Sequence, residues 1–315
     1  MVAGRSFHRF VYQLSDPAEF GCAVAGATLQ VNYLARLVSA ASIERFACEE
    51  WAVDTYDAGV KARMYGPLLP GRVALCLMLR DGVSRQYGMD LGEGCLLCNP
   101  PGVPIDGFIA PGFRAVATSV PLGVWEECRV LAGCAVEELV GFQVIPLPPG
   151  VYAGLRRLHG EAWRCLRGDD AGCLSPEVAG MRLSRALATA AWEHVAGRRE
   201  VAWSPRNRFR LARRAEALMR ERLGEPLCVP NVCVALGVSR RELEYAFQTA
   251  FGEAPRAFLE SLRMGAARAA LRRGGEARSV TDVALECGFS HLGRFSTRYR
   301  ELFGERPSET GRSRK

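Results

Sequence analysis

The sequence lacks any run of about twenty apolar residues without a charge, the length that a membrane-spanning helix needs. Its first ten residues, MVAGRSFHRF, also lack the apolar core of a secretion signal. We therefore expect a cytoplasmic protein with no membrane segment. The 315 residues are enough for two ordinary domains.

The residues that catalytic and metal sites require are also missing or scattered. No G-x-S-x-G, phosphate-binding-loop or H-E-x-x-H motif occurs. The four histidines are His8, His159, His194 and His291, so the long N-terminal stretch between the first two has none to join carboxylates at a metal. The sequence thus predicts no enzyme activity, no metal and no cofactor.

The twelve cysteines do not form a recognisable metal-binding or disulfide pattern. Cys95 and Cys98 make up the one C-x2-C pair, and no second pair lies at zinc-finger distance. In a cytoplasmic chain we expect most cysteines to be small buried hydrophobic residues. A thiol switch formed by Cys95 with Cys98, or by Cys128 with Cys134, is the alternative.

Positive charge is concentrated in the C-terminal third of the chain. From residue 201 onward there are 22 Arg or Lys and 13 Asp or Glu, a net charge of +9, whereas residues 1–200 carry 19 basic and 21 acidic residues. Nearly all of the positive charge is arginine, because the chain has only two lysines. This asymmetry favours a polyanionic partner for the C-terminal third.

The N-terminal region reads as mostly β-structure. Short apolar runs such as 73–79 and 95–98 alternate with glycines and prolines that would interrupt a long helix. We predict a β-rich domain over 1–135, with a sandwich or barrel architecture. Its aromatic residues Trp51, Tyr56, Tyr65 and Phe108 are candidates for a ligand pocket or for ordinary core packing.

Helical patterns follow this β-rich region. The spacing of apolar residues predicts helices at 122–134, 152–167 and 177–195. The helical segment 136–197 would either pack on its own sheet or form a dimer interface. A polar stretch that ends in proline, 198–207, is predicted as the linker to a C-terminal domain over 208–312. The predicted fold class is therefore α+β, with an all-α domain after a β-rich domain.

Two copies of one pattern lie within the C-terminal domain, at 229–251 and 280–303. Each copy reads as a helix, a turn with a glycine and a second helix, which is a helix-turn-helix unit. The turn glycines and the serines two residues later suit a left-handed turn and a helix cap. The turn and core residues are Gly237, Ser239, Leu243 and Phe247 in the first copy, and Gly288, Ser290, Phe289, Phe295, Tyr299, Phe303, Gly304 and Pro307 in the second.

The segment 255–271 between the copies is predicted to be one continuous helix. About 17 residues at 1.5 Å each give a rod of roughly 25 Å. Such a rod could place two recognition helices in successive major-groove segments, which lie about 34 Å apart. One chain would then have the spacing that other helix-turn-helix proteins reach by dimerising.

Over 208–311 the chain resembles the DNA-binding domain of the AraC/XylS family of bacterial transcription regulators. The resemblance is carried by LGVSRRELEYAF, LRMGAARAAL and SVTDVALECGFSHLGRFSTRYRELFGERPSE. The ending is similar to the subgroup of the ethanolamine-utilisation regulator, which would suggest an amine or a cobalamin-like effector. Cys228 stands where the family usually has a serine or threonine cap, so we expect Pro230 to begin that helix instead.

The resemblance implies a ligand-responsive transcription activator whose domain over 1–135 binds a small-molecule effector. It also implies that the protein binds double-stranded DNA and RNA polymerase, in the cytoplasm and at the nucleoid. A homodimer is a further expectation. Side chains early in a recognition helix would read bases. These are Arg240, Arg241, Glu244 and Tyr245, then His291, Arg294, Ser296, Thr297 and Arg298. Arg263, Arg268, Arg272 and Arg273 are predicted to meet phosphates. The competing interpretation is a helical module that binds another protein.

Overall fold

The computed structural model describes residues 8–310 except 14–18, 22–23, 25, 39–40, 49–50, 81–82, 137–138, 140, 170–173, 196–202 and 275–277. The strands are β1 (His8–Gln13), β2 (Gln30–Tyr33), β3 (Ser42–Ala47), β4 (Ala52–Ala58), β5 (Ala62–Gly66), β6 (Arg72–Arg80), β7 (Arg85–Gln86), β8 (Met89–Asp90), β9 (Cys95–Asn99), β10 (Ile105–Ile109), β11 (Phe113–Pro121) and β12 (Gln143–Pro146). The helices are α1 (Leu122–Leu131), α2 (Pro149–Arg167), α3 (Pro176–Val195), α4 (Trp203–Glu221), α5 (Val229–Leu236), α6 (Arg240–Phe251), α7 (Pro255–Gly274), α8 (Val280–Glu286), α9 (Leu292–Phe303) and α10 (Pro307–Thr310).

The strands form two sheets, and the pairs among them are antiparallel. The larger sheet has the order β1-β3-β4-β11-β6-β9-β12, and the smaller has the order β2-β5-β10-β7-β8. Side chains alternate between the two faces of each strand, so a strand of the larger sheet can supply two cores. On β3, for example, Phe46 packs in one core and Ile43 in the other.

One of these cores lies between the larger sheet and helices α1, α2 and α3. Trp125, Trp163 and Trp192 from the three helices pack with Phe46 and Leu75 from the strands. The other core lies between the two sheets, with Ile43 and Ile109 from opposite sides. The helical segment after the strands therefore packs on its own sheet, which is one of the two alternatives predicted for it.

The C-terminal helices form two smaller cores, one for each predicted unit. In the first core, Phe251 of α6 stacks on Phe258 of α7, and Phe247 of α6 meets Phe258 edge to face. Phe295 and Tyr299 of α9 pack with α7 and α8 in the second. The α+β fold class, the β-rich N-terminal domain and the helical C-terminal domain are confirmed.

The boundary between the domains differs from the prediction. Helix α4 begins at Trp203, so 203–207 are helical although the polar composition suggested a linker. The rest of the predicted linker, 198–202, lies outside the described residues. No helix in the described ranges is long and apolar enough to cross a membrane.

Candidate nucleic-acid interface and sensor cavity

The turn of the first unit is fixed by its glycine and serine. Gly237 ends α5 with φ +66°, where a side chain would be strained. Ser239 caps α6: its hydroxyl oxygen accepts from the Glu242 backbone N–H, and its own N–H donates to the Glu242 carboxylate at 2.8 Å. This reciprocal pair is a capping box. At the start of α5, the Asn231 side chain accepts from the backbone N–H of Cys228, and Pro230 occupies the first turn.

The predicted base-reading residues of α6 lie on one exposed face. Arg240 pairs with Glu244 at 2.8 Å, one helical turn away. The Arg241 guanidinium lies 5.6 Å from the centre of the Tyr245 ring, a cation–π contact. Leu243 and Phe247 face the opposite way and are fully buried. The helical spacing that places Leu243 and Phe247 in the core therefore leaves the polar residues exposed to solvent.

In the second unit the glycine turn is present but the predicted cap is not. Gly288 has φ +79°, as a left-handed turn requires. Ser290 was expected to cap the recognition helix, but the extra residue after this turn makes His291 the N-cap, and its side chain makes no capping bond. The Ser290 prediction was wrong for that reason.

The predicted reading positions of α9 lie on its solvent face. Phe295 and Tyr299 are buried, and Tyr299 bonds to Thr310 at 2.7 Å, which joins α9 to α10. Arg298 is bonded to Glu260 of α7 at 3.1 Å and to Glu301 at 2.7 Å. The exposed positions are His291, Arg294, Ser296, Thr297 and Arg298.

A groove between the two units brings several of these side chains together. Arg240 of α6 and Arg256 of α7 line it from the first unit. His291, Arg294 and Arg298 of the second unit line it as well. The two recognition helices thus contribute arginines to one surface that is open to solvent, and this arrangement attracts an anionic partner.

The four arginines predicted to meet phosphates have different surroundings. Arg268 is buried, pairs with Glu305 at 3.0 Å and lies 4.4 Å from the Phe303 ring centre, so its prediction was wrong. Arg263 donates to the carbonyl oxygens of Leu223, Glu225 and Leu227 and ties α7 to the loop before α5.

Arg272 and Arg273, the other two predicted phosphate contacts, lie nearer the end of α7. Arg272 faces Glu19 of the N-terminal domain at 3.8 Å. Arg273 is exposed and forms no ion pair with another described residue. Of the four, Arg273 is therefore the residue best placed to meet a phosphate.

The two domains are joined by a buried charge cluster that the sequence did not reveal. Arg63 of β5 and Glu216 of α4 are each 0% exposed, and the Arg63 Nη2 atom is 2.8 Å from Glu216 Oε2. Asp106 of β10 bonds to Arg63 at 2.6 Å and to Arg213 at 2.8 Å. Burial opposes ionisation of Glu216, but the charges of Arg63, Arg220 and Arg213 outweigh it and lower the pKa of Glu216 to about 2.

Two further cations of the N-terminal domain bind the carboxyl end of the first recognition helix. Lys61 lies 2.7 Å from the Gly252 carbonyl oxygen and 2.7 Å from Glu253. Arg85 donates to the carbonyl oxygens of Gln248 at 2.7 Å and Thr249 at 3.1 Å. The last carbonyls of a helix are unpaired and partly negative, so cations stabilise them. Helix α6 is thereby fixed to the N-terminal domain.

A cavity of about 80 Å³ lies between the two sheets. Strands β5 and β10, which carry Arg63 and Asp106 of the charge cluster, form part of its wall. Met64 of β5 lines it, and the neighbouring Arg63 faces α4. Gly107 of β10 lines it, and the neighbouring Asp106 joins the charge cluster. Because alternate residues face opposite sides, a single layer of strands separates the cavity from the C-terminal domain.

The candidate thiol pairs are not linked. Cys95 packs in the core between the sheets, whereas Cys98 packs in the helix-covered core. The two side chains point to opposite faces of β9, and burial raises the pKa of the Cys98 thiol. Cys128 and Cys134 are also free thiols. In the described part of the chain, no group of three or more His, Cys, Asp or Glu side chains could hold a metal ion.

The family model and the curated relatives match about a quarter to a third of the chain. Residues 232–313 match a family model described as a helix-turn-helix domain. The "Probable thc operon regulatory protein" of Rhodococcus erythropolis is 42% identical over 86 residues, 27% of this chain and 26% of that one. The XylDLEGF operon transcriptional activator of Pseudomonas putida is 33% identical over 98 residues, 31% and 30% of the two chains.

A protein of known structure is also similar in sequence to part of this chain. A transcriptional regulator with an AraC-type DNA-binding domain from Chromobacterium violaceum is 33% identical; the match covers 33% of this chain and 92% of that one, with a TM-score of 0.31. The C-terminal segment is thus a helix-turn-helix domain. More particularly, it is similar in sequence to an AraC-type DNA-binding domain and to a segment of an operon transcriptional activator. The chain spans about a quarter to a third of the length of the curated relatives named above.

Proposed function

We propose that this protein is a sequence-specific DNA-binding regulator of transcription, and an activator rather than an enzyme. The observation that carries the proposal is the pair of helix-turn-helix units whose exposed faces, on α6 and α9, contribute arginines to one groove. Each recognition helix would enter the major groove of double-stranded DNA. The relatives named as operon activators or regulators support the same reading.

Within this proposal the exposed side chains have separate roles. Arg241 and Arg294 would bond to guanine edges, because arginine can bind two acceptors of that base at once. Glu244 would accept from a cytosine amino group after Arg240 turns from it to a phosphate. Arg273, exposed near the end of α7, would meet the DNA backbone.

The N-terminal domain would supply the response to a signal. The cavity between the sheets offers a site for a small-molecule effector, and the contacts of Lys61 and Arg85 with α6 offer a route to the DNA-binding domain. RNA polymerase and a second copy of the chain are proposed as further partners, in the cytoplasm and at the nucleoid. Membership of the ethanolamine-utilisation subgroup is likewise a proposal, but a cobalamin would not fit a cavity of about 80 Å³.

The test begins with chromatin mapping of the promoters that the full chain occupies, followed by equilibrium binding to one mapped site. Arg241→Ala and Arg294→Ala should each reduce the preference for that site over a scrambled duplex by about 1–3 kcal/mol. Arg182→Ala, on the exposed face of α3, is the matched control and should bind as the unaltered protein does. Unchanged preference in both recognition-helix variants would overturn the assignment of these residues.

A further inference from the structure

The cavity between the sheets is small and enclosed mainly by apolar side chains. At about 80 Å³ it has room for roughly five to eight water-sized groups, since one water needs about 10–15 Å³ measured in this way. Its apolar walls come from both sheets and from the segment before β2, and they include Phe20, Leu29, Met64, Leu97, Ile109 and Phe113. Such walls favour an apolar occupant.

The charged groups near the cavity are already matched. Asp54 lines it, but both carboxylate oxygens accept from Arg45, at 2.8 and 3.0 Å, and the Tyr56 hydroxyl donates to the same carboxylate at 2.8 Å. Arg85 is bonded to Asp90 and to the carbonyls of α6.

An ion entering the cavity would therefore lose its hydration without gaining an uncommitted counter-charge among the described lining residues. That loss is costly in a low-dielectric interior. Burial also raises the pKa of Tyr56 and raises that of Cys76 to about 12, so these two lining groups stay neutral at physiological pH.

Polar recognition is concentrated at one place in the wall. The Gln86 side chain lines the cavity and donates one N–H to Asn99 Oδ1 at 2.9 Å, and Asn99 in turn donates to the Pro104 carbonyl at 3.0 Å. This chain of bonds fixes the orientation of the Gln86 amide. A primary amide has a second N–H and a carbonyl oxygen for a further partner.

We propose that this cavity binds a small, uncharged and mostly apolar molecule whose single hydroxyl or carbonyl group bonds to Gln86. The size of the cavity limits the ligand to about one small ring or a short branched chain. If the protein is the transcription regulator proposed above, this molecule is its effector. Only the effect of the molecule on transcription rests on that proposed function; its binding to the cavity does not.

Calorimetric titration of the full chain tests the ligand class. The probes are small benzene derivatives that are similar in size but differ in charge. Phenol and benzyl alcohol are the neutral probes, and benzoate and benzylammonium are the charged ones. Either neutral probe should bind about tenfold more tightly, or better, than both charged probes. A larger neutral probe, 2-naphthol, should bind more weakly than phenol. Equal or tighter binding of either ion, or no binding of the neutral probes up to their solubility, overturns the proposal.

Two variants locate the site. Ala117→Val narrows the cavity and should weaken phenol binding about tenfold or more. Gln86→Leu should weaken phenol binding but leave toluene binding unchanged, because toluene has no polar group to lose. The thermal unfolding of each ligand-free variant shows whether it is folded. A Gln86→Leu protein that unfolds cooperatively and keeps full phenol affinity contradicts the role given to Gln86.

Binding to a mapped promoter duplex, measured with and without phenol, separates this inference from the proposed function. Salt-sensitive DNA binding together with failure of every neutral probe would overturn the ligand class and leave the DNA-binding function standing. Neutral-selective phenol binding with no DNA binding would overturn the function and leave the ligand class standing.

Discussion

Removal of the Glu216 carboxylate should loosen the contact between the two domains. Glu216 of α4 is 0% exposed and accepts from Arg63, Arg213 and Arg220. Glu216→Gln keeps the shape of the side chain but leaves Arg63, which is also 0% exposed, with Asp106 as its remaining carboxylate partner in this cluster. We expect the free energy of unfolding to fall, since a buried charge loses a matched partner.

The magnitude follows from the pKa of Glu216, which falls from an ordinary 4.5 to about 2. Each unit corresponds to about 1.4 kcal/mol, so the ionised carboxylate contributes about 3 kcal/mol. The folded-state pKa lies below the unfolded one, so this contribution is complete above about pH 4.5 and is lost as the pH falls toward 2. In the Gln variant that part of the acid sensitivity should disappear.

A double-mutant cycle of Arg63→Met and Glu216→Gln, followed by urea unfolding at neutral pH, measures the coupling. We expect a coupling energy of about 2–3 kcal/mol. The matched control is the exposed pair Arg240 and Glu244, whose side chains are 78% and 47% exposed, with an expected coupling below about 1 kcal/mol. A coupling for Arg63 and Glu216 no larger than the control would refute the buried cluster as the bond between the domains.

Other residues of the C-terminal domain give matched comparisons. Ser239→Ala should cost about 0.5–2 kcal/mol of stability, whereas Ser290→Ala, which removes no cap, should be close to neutral in the same urea titration. Equal losses would contradict the two cap assignments. Arg268→Ala should lower the melting temperature because Arg268 is buried against Glu305 and Phe303, whereas Arg273→Ala should leave it unchanged and weaken DNA binding. A stable Arg268→Ala protein would count against the structural role of that side chain.

The features that could be predicted from the sequence are those with local causes. The glycine turn at Gly237, the cap at Ser239 and the buried stripe through Leu243 and Phe247 all depend on spacings of a few residues. The strands with alternating apolar residues and the two helix-turn-helix units could be predicted for the same reason, because each depends on residues that are close together in the sequence. The continuous helix between the two units follows from the periodicity of its apolar residues.

The contact between the domains could not be predicted because its partners lie far apart in the chain. Arg63 and Glu216 are separated by 153 residues, and no periodic pattern relates them. One weak signal was present: Arg63 interrupts an otherwise uncharged strand, Ala62–Gly66, and a charge in a buried strand needs a partner. Arg268 was misassigned although its spacing from Met264 and Leu271 places it on the buried side of α7.

The measurement that tests the central claim most directly is the salt dependence of binding to a mapped promoter duplex. If DNA binds to the protein surface that α6 and α9 share, the logarithm of the affinity for the duplex should fall linearly with the logarithm of the salt concentration. Arg273→Ala should reduce that slope by about 1, because one phosphate contact is lost. An affinity that does not change with salt, or a protein that binds no promoter duplex, would contradict the account and favour a helical module that binds another protein.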